Sequence, residues 1–153
     1  MTLRIASRVR PSVAPTGNAA RISCGLLIGF RDAGSVWVER SLACVNAAPL
    51  EARSVSFEID PRVLVNVRRS LTSTPQSIVG FYYTNPSGQR TLGSRDCDLL
   101  ANWPDMILLL HGPENEAGES LQGWWRPSGA EKPTELDIEI VKMRESSLLV
   151  CPE

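Results

Sequence analysis

The sequence predicts a mixed α/β domain, α+β in layout. Three observations carry that expectation. Apolar runs of strand length recur along the chain, separated by turn signals such as "RDAGS" and "ENEAGES". Residues 60–71 place Val63, Leu64, Val67 and Leu71 on one helical face, with Arg62, Asn66, Arg69 and Ser70 mostly opposite. A second segment, from Ser94 to Trp103, starts on a helix-capping residue and ends before Pro104.

In chain order, residues 2–7 form a short strand, and "RPSVAPTGNAA" is a loop. "RISCGLLIGF" is apolar nearly throughout, as in a strand buried on both faces. "VWVERSLACV" follows the "RDAGS" turn, so residues 22–45 read as a hairpin. If Val36 and Val38 face the core, Trp37 faces outward or toward a partner. "VSFEI" reads as another strand. Asp60 is a good N-cap and Pro61 suits the first helical position. "SIVGFYY", "MILLLHG", "LQGWWR" and "ELDIEIVK" complete the strands, the last with alternating Leu136, Ile138 and Ile140.

The 153 residues suit one domain. A chain of this length buries roughly two thirds of its unfolded surface and needs no staple to fold. A net charge of −1 gives no pull toward nucleic acid or an anionic membrane. No apolar run has signal-peptide or membrane-span character. Cys24, Cys44, Cys97 and Cys151 lack Cys-x-x-Cys spacing, and the first two lie in apolar strands as small core residues. The expectation is a reduced, cytoplasmic protein.

His111 is the sole histidine and ends an apolar run, which reads as a rim position. One histidine cannot supply the pair that a hydrolytic zinc site usually takes. No phosphate-binding glycine motif occurs, and the aromatics are not interleaved with basic residues. Adjacent Trp124 and Trp125 point to opposite faces of a strand. One is expected in the core; the other, with Trp37, is a candidate anchor for a protein partner.

Taken in order, "CGLLIG" at 24–29, "FEIDP" at 57–61, "VGFYYTNPSG" at 79–88 and the following Asp96 and "MILLL" resemble the JAMM/MPN family. "LQGWWR" and "ELDIEIV" resemble the closing strands of its bacterial members. The match runs over 20–143, leaving 1–19 as an N-terminal strand and loop and 144–153 as a tail. The resemblance implies a curved, mainly antiparallel sheet with a central amphipathic helix and a second short helix. Active members are zinc isopeptidases that act as deubiquitinating enzymes. A Glu serves as their acid/base, two His and an Asp hold the metal, and a Ser stabilises the oxyanion.

Carried over by position, the Glu falls on Ile22, the two His on Tyr83 and Asn85, the Ser on Gly93 and the Asp on Asp96. Only Asp96 keeps its type. A neutral phenol and an amide bind zinc poorly, and Ile22 cannot move a proton. The expectation is therefore a metal-free pseudoenzyme without catalytic residues. Tyr83 and Asn85 would plug the former site, and Asp96 would brace the following helix. The chain would act by binding a protein, either a ubiquitin-like protein or an MPN-domain homologue, with self-association open. Two alternatives stand: a hydrolase of altered chemistry using Asp96, Tyr83, Ser94 or Cys97, and an unrelated small α/β binding module.

Overall fold

A computed structural model of the chain describes residues 1–7, 9, 22–52, 56–84, 92–115 and 118–142, with the side chains of 113–115 and 118–120 left aside. Seven strands, β1 (Thr2–Ala6), β2 (Ser23–Asp32), β3 (Ser35–Cys44), β4 (Ser77–Thr84), β5 (Ile107–Asn115), β6 (Gly118–Trp125) and β7 (Thr134–Val141), carry most of the regular structure among the described residues. Two helices, α1 (Pro61–Ser70) and α2 (Ser94–Asn102), and one 3-10 turn at Leu50–Ala52 join them.

The sheet closes on itself in the order β1-β3-β2-β4-β5-β6-β7. This corrects the expected α/β layout of a curved, mainly antiparallel sheet with a central helix: the sheet is a closed barrel of mixed pairing, with only two small helices among the described residues. The reason lies in β1, which pairs in parallel with β3 on one side and with β7 on the other. It covers two edges that would otherwise present unpaired N–H and C=O groups. A third parallel pairing joins β4 to β5, with α2 as its crossover.

Strand alternation divides the apolar side chains into two cores. The lumen holds Leu3, Ile5, Leu27, Val36, Val38, Tyr82, Leu109 and Leu136, with Trp125 packed against them. A barrel of about eight strands has an interior just wide enough for side chains to fill it. The outer face of β2, β4 and β5 carries Cys24, Leu26, Ile28, Phe81, Tyr83, Leu108 and Leu110, covered by Leu64 of α1, by Leu71 just after it and by Leu100 of α2. This two-sided burial explains why "RISCGLLIGF" and "MILLLHG" read as continuous apolar runs. A register shift between β2 and β4 falls beside Val79, which lets Val79 and Tyr82 share the lumen while Ile78 and Phe81 face the helices.

Local signals explain the connections. Gly34 at φ 79° turns the β2–β3 hairpin, and Asp32 Oδ1 accepts from the Ala33 amide at 2.7 Å. Asp60 caps α1 by accepting from the Arg62 amide at 2.9 Å, with Pro61 at the first position. The "VSFEI" strand does not form over its described part, Ser56–Ile59. Its backbone is held instead by the preceding loop. Asn46 bonds Ser56 O at 2.9 Å and the Glu58 amide at 3.1 Å, and the Ala47 amide donates to Glu58 O at 2.8 Å. Described parts of "ENEAGES" extend β5 and β6 rather than forming only a turn. Among the described residues, no helix is long and apolar enough to cross a membrane.

Candidate functional site

The end of β4 delivers Tyr83 to the outer face, beneath the start of α2. Tyr83 is buried and donates its hydroxyl to Asp96 Oδ2 at 2.9 Å. The same oxygen accepts the Gly93 amide at 2.9 Å. Gly93, not Ser94, is the N-cap of α2, and Asp96 is its third residue. Gly93 has no side chain to cap with, so the reach back from Asp96 supplies that role. The carboxylate also lies at the positive end of the helix dipole. Phe57 packs against the Tyr83 ring with centroids 5.1 Å apart, and nothing in the sequence beyond its apolar character signalled that contact.

The structure thus brings together three of the positions carried over from the resemblance, Tyr83, Gly93 and Asp96. Ile22 is also buried in the same outer core as Tyr83. Asn85 lies outside the described residues. Burial, the Asp96 charge and the hydrogen bond to it all push the Tyr83 phenol upward from its ordinary value. Tyr83 is therefore neutral at pH 7 and acts as a donor. Next to it, Thr84 accepts the Ser23 amide at 3.2 Å.

Replacing Tyr83 by Phe removes one of two bonds to Asp96 and is expected to cost about 1 kcal/mol. Asp96→Ala removes both and leaves a buried hydroxyl without its acceptor, at about 2 kcal/mol. Urea denaturation of each variant checks the order. The pH dependence has a definite sign. A phenol pKa raised by folding adds stability below its unfolded value of ~10, and that stability is lost as pH rises further. The gap between wild type and Tyr83→Phe should therefore shrink in alkali.

The three tryptophans singled out as core or anchor candidates separate. Trp125 faces the lumen core and Trp124 the helix-covered core, both half-buried. Trp37 lies on the opposite outer wall, stacked on Phe30 at 5.8 Å with Arg4 over its ring at 5.0 Å. Arg4 also reaches Glu139 at 3.5 Å. His111 is not at a rim: it is 1% exposed, within β5.

Fold and site together define a small closed barrel of mixed strand pairing, with a neutral tyrosine bonded to an aspartate under a helix N-terminus. No family profile matches the chain. It is 30% identical over 91 residues to a protein named Desampylase from Haloferax volcanii, a match covering 60% of this chain and 62% of that protein. The aligned part therefore spans less than two thirds of the relative's length. The solution structure of protein DSY2949 from Desulfitobacterium hafniense superposes with a TM-score of 0.76, covering 95% of this chain and 97% of that one. At 19% identity that likeness shows the fold alone.

Proposed function

We propose that this chain is a non-catalytic relative of the JAMM/MPN isopeptidases that acts by binding a protein. The motif order and the match to Desampylase support the kinship. The observation that carries the loss of chemistry is the bond from Tyr83 to Asp96. It commits the one retained acidic position to a structural bond.

Zinc, which the kinship implies, does not fit these donors. Tyr83 would have to lose a proton that burial and Asp96 hold in place. Ile22 offers no acid or base where proton transfer would be required. No three His, Cys, Asp or Glu side chains gather into a ligand set among the described residues. One carboxylate cannot bring a bound water to the pKa of ~7 that zinc hydrolysis uses.

The partner fitting this reading is a ubiquitin-like protein or an active homologue, with Trp37 as the anchor on the wall away from the helices. Trp37 is half-buried and stacks on Phe30, which is 37% exposed, so the two rings together form an aromatic patch on that wall. Metal analysis of the purified chain, combined with incubation against a ubiquitin-like fusion, tests the proposal. The expected result is far less than one zinc per chain and no cleavage. Stoichiometric zinc with cleavage abolished by chelation would overturn it. Cleavage that survives chelation but is lost in Asp96→Ala would establish the altered hydrolase instead.

A further inference from the structure

We propose that Cys24 and Cys44 form a built thiol pair that closes into a cross-strand disulfide when the protein meets a small-molecule disulfide. The pair belongs to no part of the binding reading above. Antiparallel pairing of β2 and β3 sets the two residues directly opposite one another. Opposed residues project to the same face, with Cα atoms about 4.5–5.5 Å apart. That spacing lies inside the roughly 4.4–6.8 Å that a disulfide spans. Both thiols are free, and Cys24 Sγ already points across the pair, donating to Cys44 O at 3.8 Å. Cys44 Sγ donates to Leu42 O at 3.5 Å. The ordinary spacing of an opposed pair therefore lets side-chain rotation bring the two sulfurs together.

Access decides the order of events. Cys24 is 2% exposed, whereas Cys44 is partly open to solvent. The Cys44 thiolate attacks one sulfur of oxidised glutathione, forming a mixed disulfide and releasing one glutathione thiolate. Cys24 then loses its proton to solvent and attacks the Cys44 sulfur, displacing the second glutathione. Two protein thiols are oxidised and one glutathione disulfide is reduced to two thiols. Burial raises both thiols, Cys24 to about 12, so closure is slow at neutral pH and faster in alkali. The bond would form beside the Tyr83–Asp96 pair, since Cys24 pairs in register with Tyr83 on β4.

The test uses the full chain carrying Cys97→Ser and Cys151→Ser, treated with oxidised glutathione and read by intact mass and peptide mapping. The expected product is monomeric and lighter by two hydrogens, with peptides around 24 and 44 linked until reduced by dithiothreitol. Adding Cys24→Ser, or Cys24→Ala if the serine variant does not fold, should abolish the linked species and leave glutathione on Cys44. A stable glutathione adduct on Cys44 with Cys24 still free in the parent would overturn the proposal. So would a native chain that stays unmodified while its urea-unfolded form reacts.

Discussion

Removal of residues 1–7 is expected to abolish cooperative folding. Leu3 and Ile5 are fully buried in the lumen. They stand in register with Val36 and Val38 on one side and with Ile138 and Ile140 on the other. Loss of two such side chains costs about 4–10 kcal/mol by the usual large-to-small range of about 2–5 kcal/mol each. That is comparable to the whole stability of an ordinary domain, about 5–15 kcal/mol. The deletion also opens β3 and β7 as unpaired edges, so aggregation should accompany unfolding. A milder probe, Ile5→Ala, should lower stability by about 2–5 kcal/mol while leaving the fold intact. Urea denaturation followed by circular dichroism measures both. A truncated chain with a sharp, wild-type transition would show that closure through β1 is dispensable.

Gly25→Val is expected to be a strongly damaging substitution in β2. A Cβ at Gly25 would run into the carbonyl oxygen of Leu42 and come within 2.6 Å of the Tyr82 hydroxyl. The first obstacle is backbone on the paired strand and cannot rotate away. Overpacking of this kind costs about 1–3 kcal/mol, and more where the backbone has to move. Gly25→Ala already introduces the obstructed atom and should show most of the loss. Shortening the obstructing ring with Tyr82→Ala should not rescue either variant, because the Leu42 carbonyl stays in place and a lumen cavity opens. Recovery of wild-type stability in the double variant would mean that only the ring, not the strand spacing, demands glycine there.

The elements with strong local signals were legible. Asp60 and Pro61 announce α1, the Asp-Ala-Gly turn announces the β2–β3 hairpin, and the alternation of Leu136, Ile138 and Ile140 announces β7. "VSFEI" suits a strand by its β-branched and aromatic residues, yet Asn46, ten or more positions earlier, takes its backbone groups. His111 was misplaced because a strand's end cannot be read from a polar residue when β5 runs on through Asn115. At the site, Tyr83 and Asp96 were singled out from the resemblance. Their hydrogen bond and the ring of Phe57 came only with the folded chain. The opposition of Cys24 and Cys44 depends on the β2–β3 register, which a shift between Ile28 and Gly29 makes hard to count from the turn.

By itself the sequence determined which segments are strands or helices at their strongest, and which residue types stand at the positions carried over from the resemblance. Those are properties of residue type and short-range spacing, the range over which capping, turn geometry and side-chain ionisation act. Tertiary structure alone decided that the sheet closes. The parallel pairings of β1 join residues more than thirty positions apart on one side and more than a hundred on the other. Such pairings satisfy edge hydrogen bonds that no local pattern records.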